Sequence, residues 1–494
     1  MPVSQSADLD RAEVPLGYPR GLVTLCLTEM WERFSFFGMI AILVLYLTAP
    51  VSEGGLGMSE GLGIAVFSTY VAIVGMLPVA GGWVADRLLG ARRTVLVGGI
   101  LIACGHYAMA TRVDLLLWVG LLVIAVGTGL LKPNVGVMVG ALYGPADPRR
   151  DSGFTYYYMG INIGALTAPL LVGYVADRYG FHWGFLIAGL GMTIALGLYL
   201  AGYRRLSGIG ATPGSPADSP ARRRASMVVG GVVLVIVAVT AVLNAVFPDG
   251  PVIGDLATAI GLVTLAVPFV YFVALFRRRG LGSVERDRVT AFLVLFLGSA
   301  VFGLFGQQSG STLTLFARDG TDLNVGGFAV PPAWIGSANP LFVILFAPLF
   351  GLLWVRLGRR APSTPMKSAI GLTINALVFL MLIVPVGGYV NEGHKAAIWW
   401  IVGVYMVQVW AELCITPVGL SASTKLAPRG AEGQLLALWF VSGAVGATIG
   451  ARIGLLTGGA PLTTFLWCAL LTGAAAVAMF VGVPWIRRKM HGVV

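Results

Sequence analysis

The sequence predicts an all-α integral membrane protein of fourteen spans: two six-helix bundles with a pair of helices inserted between them. Three observations predict it: a composition too apolar for water, fourteen long apolar runs, and basic charge gathered in alternate loops. Of the 494 residues, 57% are hydrophobic and 11% are charged, where soluble domains carry about 25% charged residues. With a mean hydropathy of +0.85, the chain lacks the polar surface to cover several water-soluble cores. Residues 1–20 hold Asp8, Asp10, Arg11 and Glu13 and no apolar core. No cleavable signal peptide is therefore expected, and the first span does the targeting.

A helix needs about 20 mostly apolar residues to cross the hydrocarbon core. Such runs fall near 21–48, 62–85, 94–111, 115–139, 153–176 and 183–203, then near 226–247 and 252–276. Six more lie near 289–316, 336–356, 367–387, 395–424, 434–456 and 462–486. An even number of spans puts both termini on one side. The loops on that side carry 26 of the 33 basic residues, and the opposite loops only Arg112, Arg178, Arg318 and Lys395. Basic residues collect on the cytoplasmic side, so both termini are expected there. The same distribution accounts for the net charge of +11 as loop charge and argues against nucleic acid as a partner.

The loop Asp86-Arg87-Leu88-Leu89-Gly90-Ala91-Arg92-Arg93 follows the second span, and Arg356-Leu357-Gly358-Arg359-Arg360 follows the tenth. If these are equivalent, the repeat is offset by eight spans and two are inserted. That predicts an N-terminal segment 1–20, a bundle over 21–203, a linker over 204–225, an inserted hairpin over 226–276, a bundle over 277–486 and a tail over 487–494. Such parallel halves hold substrate near the bilayer midplane. Any short cytoplasmic turn also gathers Gly and Arg, so the loop pair alone leaves both readings open.

Outside the loops, only Arg33, Lys132 and Arg452 are basic, and Glu29, Glu32 and Glu412 are the acids well within spans. A charge at the bilayer centre costs at least about 2.5–3.5 kcal/mol, so these residues need partners or a function. Glu29, Glu32 and Arg33 are spaced i, i+3 and i+4 and share one helical face. Lys132 is the evident countercharge, and Glu412 brings an acid from the second half. Charges of both signs suit a zwitterion, its carboxylate near Arg33 and Lys132 and its amine near Glu412. A carboxylate that alternates between a cation and a proton is also a coupling device. A static buried salt bridge is the plainer alternative. Arg452 either snorkels or pairs within its own half.

Asn162 sits between Gly160 and Gly164, as helix-packing glue or as a ligand contact. Tyr156-Tyr157-Tyr158 reads as an interfacial aromatic run. The four cysteines lie in apolar stretches as buried thiols, and no His or Cys has metal or catalytic spacing. Neither metal nor cofactor is expected, and no enzymatic activity.

At these residues the chain resembles the proton-dependent oligopeptide transporters of the major facilitator superfamily, over nearly its whole length. Glu29-Met30-Trp31-Glu32-Arg33-Phe34 matches that family's ExxERF motif. Residues 81–105 and 154–166 look like its two signatures. Gly129-Leu130-Leu131-Lys132-Pro133, Asn339-Pro340-Leu341-Phe342 and the run from Glu412 to Leu420 also match. The inserted pair of spans is usual for prokaryotic members.

The resemblance implies the major facilitator fold and a functional monomer that imports di- and tripeptides with protons across the cell membrane by alternating access. It also implies that Glu29, Glu32, Arg33 and Lys132 couple protons, with Arg33 and Lys132 reaching the peptide carboxylate. Asn162, Asn339 and Glu412 would take the amino end and backbone, and Trp439 and Ser442 would line the side-chain pocket. Asp86, Arg87 and Arg93 would form the gating loop. The chain departs from the family where Phe36 and Phe37 replace tyrosines and where Gly75 replaces a pocket tyrosine. Gly303 and Gln307 stand for a usual Trp and acid, and Ser68 for the histidine of animal members. A drug/proton antiporter would share the 86–93 loop but has no reason for ExxER with Lys132 and Glu412. A membrane enzyme would need catalytic pairs that the sequence does not show.

Overall fold

Apolar side chains and a backbone that must satisfy its own hydrogen bonds in lipid leave the helix as the economical structure for each run. The computed structural model describes residues 19–143, 147, 149–206, 208–214, 216, 218–248, 251–278, 281–390, 393–428, 432–458 and 460–493. The expected N-terminal segment therefore lies almost wholly outside the described residues. The helices are α1 (Arg20–Thr48), α2 (Glu60–Val84), α3 (Ala91–Ala110), α4 (Asp114–Ala141), α5 (Arg149–Tyr179) and α6 (Phe181–Ala201). They continue as α7 (Ser219–Val246), α8 (Val252–Phe276), α9 (Ser283–Gly310), α10 (Thr312–Gly320) and α11 (Ala338–Leu357). The last four are α12 (Thr364–Pro385), α13 (Ile398–Lys425), α14 (Glu432–Leu456) and α15 (Pro461–Lys489). Among the described residues, 14 helical segments are long and apolar enough to cross a membrane, α9 and α10 together forming one of them. Four two-residue strands make small pairings, β1 (Thr321–Asp322) with β4 (Ala396–Ala397), and β2 (Asn324–Val325) with β3 (Phe328–Ala329).

Two elements differ from expectation. The ninth span is not one helix: the backbone breaks at Ser311 (φ −126°, ψ −93°), where the polar run from Gln307 to Ser311 offers the backbone other partners. Ser311 Oγ donates to Gln307 O at 2.8 Å, an alternative to the helical ladder. And α7 starts at Ser219, inside the expected linker. Pro220 in its first turn and the helix-forming Ala and Arg residues that follow favour an early start.

The chain divides into two compact units. One comprises the described residues up to Met39 with Leu77–Arg223; the other comprises Ile40–Met76 with the described residues from Arg224 on. In the first, α3 and α4 meet through glycines. A Cβ on Gly98 would lie 2.7 Å from Gly127 O, and one on Gly105 would lie 2.8 Å from Gly120 O. Only a residue without a side chain permits that approach. The 86–93 loop closes through Gly90 at φ +78°, and Arg92 N donates to Gly210 O at 3.0 Å. Arg92 also stacks 3.4 Å over the Tyr203 ring.

In the second unit, the core gathers Phe272, Phe292, Phe296, Leu372 and Trp439 around α9, and Phe305, Phe379 and Tyr405 around α12 and α13. The 358–360 turn uses Gly358 at φ +45°, so both repeated loops turn on a left-handed glycine. Arg452 pairs within this unit: Nη1 donates to Thr258 Oγ1 at 2.7 Å and Nη2 to Ala257 O at 3.0 Å, both on α8. Large apolar side chains are exposed along α7 and α11, among them Leu234, Val237, Leu349 and Val355. A surface of this kind is stable only against lipid or another apolar partner. Of the cysteines, Cys414 and Cys468 are buried as expected, whereas Cys104 is exposed on α3.

Candidate functional site

Spacing on α1 puts Glu29, Glu32 and Arg33 on one face, and the fold buries that face. The three are 1%, 0% and 3% exposed. Arg33 grips Glu32 with two bonds, Nε to Oε2 at 2.5 Å and Nη2 to Oε1 at 2.6 Å. Its Nε also lies 3.4 Å from Glu29 Oε1. One guanidinium thus serves two carboxyl groups, and with both ionised the three groups would sum to one negative charge. Glu29 Oε2 is buried without a hydrogen-bond partner, so Glu29 is the less satisfied acid. Tyr157 of α5 lies beside Glu29. The sequence alone puts that tyrosine in an interfacial run; the signal that would have found it is its place inside the FTYYYMGIN signature, five residues before Asn162.

The face is brought to α5 by two glycines. A Cβ on Gly164 would sit 2.2 Å from Met30 O, and one on Gly160 would sit 3.1 Å from Cys26 O. Asn162, between them, is buried and donates Nδ2 to Tyr158 O of its own helix at 2.9 Å. The glycines therefore make the packing contact here, and the amide is free of it.

Lys132 rises from α4 beside a built-in irregularity. Pro133 lacks an N–H, so Gly129 O loses its helical donor. Gly81 of α2 nests against that carbonyl, where a Cβ would be 1.9 Å away. Asn134 Nδ2 donates to Leu130 O at 2.7 Å and to Gly81 O at 3.2 Å. Lys132 itself is exposed. No ion pair within 4.0 Å joins it to a carboxylate among the described residues, so Arg33 is the partner of both acids. Asp86, Arg87 and Arg93 are likewise exposed, the first two on the turn between α2 and α3 and Arg93 in the first turn of α3.

In the second unit, Asn339 at the start of α11 donates Nδ2 to Glu412 Oε2 of α13 at 3.2 Å. Proline 417, on the same helix, removes the donor for Leu413 O one residue beyond Glu412. Trp439 and Ser442 of α14 are 5% and 2% exposed. The indole packs against Gly419, where a Cβ would be 1.9 Å from the ring. Ser442 Oγ is 2.7 Å from Ser299 Oγ and donates to Trp439 O at 2.6 Å.

Two of the departures from the family pattern, Gly75 and Gly303, lie where α2 and α9 pack on α14. A Cβ on Gly75 would lie 3.1 Å from Ala444 Cβ, and one on Gly303 would lie 3.4 Å from Gly443 Cα and 3.5 Å from Gly446 Cα. The place of the tyrosine is therefore tight against Ala444, whereas a Cβ at Gly303 would meet α14 in ordinary contact. Gln307 donates to Ser68 Oγ and lies 3.3 Å from Ser311 Oγ, so a buried neutral bond stands where the pattern has ionisable groups.

The chain as a whole is similar to known proteins. Residues 92–463 match the POT family. A di-/tripeptide transporter of Lactococcus lactis subsp. cremoris is 40% identical over 450 residues, covering 88% of this chain and 89% of that one. The peptide transporter YePEPT of Yersinia enterocolitica subsp. palearctica serotype O:3 (strain YE-P4) is 34% identical over 495 residues, covering 96% of each chain. A crystal structure of a peptide transporter POT in complex with sulfate superposes with a TM-score of 0.90 at 40% identity, covering 97% of both chains. The same fourteen-span helical fold, a family match over most of the length and the buried ExxER cluster lead to one conclusion: the chain belongs to the POT family of membrane transporters.

Proposed function

We propose that this chain is a symporter that carries di- and tripeptides with protons across the cell membrane by alternating access. The observation that carries the reading is the α1 cluster, in which two buried carboxylates share one guanidinium. Such a cluster is neutralised by one proton, or by an ammonium brought to it. Lys132, exposed and without an ion-pair partner, is that ammonium. Proton arrival at Glu29 or Glu32 releases Arg33 and Lys132 to hold a peptide carboxylate, and proton departure draws the cations back. The cost of an uncompensated charge in a dry site makes the two states exclusive.

Glu412, with Asn339 bonded to it, takes the peptide's amino group, and Asn162 takes its backbone. Trp439 and Ser442 set the space for side chains, and Asp86, Arg87 and Arg93 form a gating loop. The transporter works as a monomer without a cofactor, and both termini are cytoplasmic, as the asymmetry of loop charge supports. We retain the division into bundles over 21–203 and 277–486 around a hairpin over 226–276 as the plan of the repeat.

The test is uptake of dialanine and trialanine by proteoliposomes under an imposed pH gradient, with and without an uncoupler. Accumulation that collapses with the uncoupler is expected. Accumulation that ignores both gradient and uncoupler would overturn the reading.

A further inference from the structure

Ser35 and His106 are both fully buried in the first unit, and neither belongs to the coupling cluster. Ser35 Oγ lies 2.7 Å from His106 Nε2. The other ring nitrogen, Nδ1, has no hydrogen-bond partner among the described residues. The imidazole is therefore held by one directional bond. Ser35 is on α1, three residues beyond Glu32, and His106 is on α3.

The two ends of this bond belong to different parts of the coupling machinery. On one side, α1 carries Glu29, Glu32 and Arg33. On the other, α3 is locked to α4, the helix of Lys132, through the Gly98–Gly127 and Gly105–Gly120 contacts. Apart from the Tyr157 hydroxyl of α5 beside Glu29, the other contacts of α1 with its neighbours in this unit described here are steric: Gly160 and Gly164 of α5 against its backbone, and Gly191 of α6 against Phe34, where a Cβ would be 2.6 Å from the ring. Contacts of that kind set how close α1 comes but resist rotation about its axis weakly. A hydrogen bond between fully buried groups is lost on a small rotation and leaves both groups unpaired, which is costly. Turning α1 by about 10° moves a carboxylate some 6 Å from its axis by about 1 Å, at the edge of what a functional constellation tolerates.

We propose that His106 is a positioning residue. Through Ser35 it fixes the rotation of α1 relative to the α3–α4 pair, and so aims Glu29, Glu32 and Arg33 at the side from which Lys132 is brought in. The proposal rests on the coupling role given above to that cluster.

The test is a double-mutant cycle on the purified, reconstituted transporter with Ser35→Ala, His106→Leu and both together, and with His106→Gln to restore a polar partner. Two quantities are read per folded molecule: proton-driven accumulation of dialanine and its gradient-free counterflow. Each single variant is expected to lower accumulation roughly fivefold, the size one buried hydrogen bond supplies, while counterflow stays near the parent level. The double variant is expected to be no worse than either single one, because both remove the same bond. His106→Gln should recover part of the loss. If His106→Leu does not reach the membrane, Ser35→Ala, which deletes a single oxygen, decides the matter alone. Equal loss of counterflow and accumulation, additive losses in the double variant, or unchanged accumulation in Ser35→Ala would each overturn the proposal. Glu32→Gln run in parallel separates the two readings. If it abolishes accumulation while Ser35→Ala does nothing, the positioning role fails and coupling stands; if it leaves accumulation intact, the coupling role itself fails.

Discussion

Replacing Glu32 by Gln is the sharpest probe of the α1 cluster, because it changes charge with almost no change in shape. In the parent protein Arg33 makes two bonds to Glu32, at 2.5 and 2.6 Å, and a weaker approach to Glu29 at 3.4 Å. The amide keeps one acceptor oxygen and presents N–H groups to a guanidinium that has only donors. One charge-assisted bond is lost, about 1.5–3 kcal/mol of local stability. The larger effect is on charge. The cluster of two carboxylates and one guanidinium becomes one of each, neutral without a proton, so nothing ties proton binding to the release of Arg33. A proton moving down about one pH unit supplies about 1.4 kcal/mol, enough for roughly tenfold accumulation per coupled proton. The parent is expected to accumulate dialanine by about that factor in proteoliposomes under such a gradient, and the variant to reach only equality across the membrane, about onefold. Counterflow, which needs no proton, is expected to survive in part. Full gradient-driven accumulation by Glu32→Gln would refute the reasoning.

Three further outcomes follow from the geometry. Lys132→Ala removes the ammonium that has no ion-pair partner here, so proton-driven uptake is expected to be lost while the folded yield is kept; gradient-driven uptake at the parent rate would contradict the role given to Lys132. Glu412→Ala removes the acid held by Asn339 and is expected to weaken binding of free-amine dipeptides more than tenfold, the range of a lost charged bond, but not of N-acetylated analogues, as a competition assay will show; equal loss for both would exclude an amine contact. Gly164→Val places a Cβ 2.2 Å from Met30 O, and the resulting overpacking is expected to cost about 1–3 kcal/mol, read as a lower melting temperature in detergent; an unchanged transition would mean that α1 and α5 can move apart freely.

The fold was legible to an unusual depth because its signals are local. An apolar run of span length reads as a helix wherever it lies, and all fourteen runs became helical spans. The spacing of Glu29, Glu32 and Arg33 similarly predicted one face, since helical geometry alone sets it. The pairing on that face was less accessible. From the sequence Lys132 was the natural countercharge; in the structure Arg33, one residue from Glu32, is the cation in direct contact with both acids, while Lys132 acts on them from a longer distance. A local partner reaches the carboxylate without the approach of a second helix. The break at Ser311 and the early start of α7 were missed for a different reason. There hydropathy is uniform, and hydrogen-bonding side chains or a first-turn proline decide where the ladder ends.

The departures at Gly75 and Gly303 show the remaining limit. In the sequence they are absences, a missing tyrosine and a missing tryptophan; in the structure they are the close approach of α2 and α9 to Ala444, Gly443 and Gly446 of α14. Nothing in either segment names its partner, because the contact joins positions hundreds of residues apart.

By itself the sequence determined the number of spans, the basic asymmetry of the loops and which few ionisable residues the membrane must tolerate. Each of these follows from transfer costs that act residue by residue and need no knowledge of neighbours. Only the tertiary structure decided which charges pair, that Tyr157 lies beside Glu29, and that Ser35 meets His106. Those outcomes depend on where glycines let two backbones approach, and distance between helices is a property of the packed molecule rather than of any one stretch of chain.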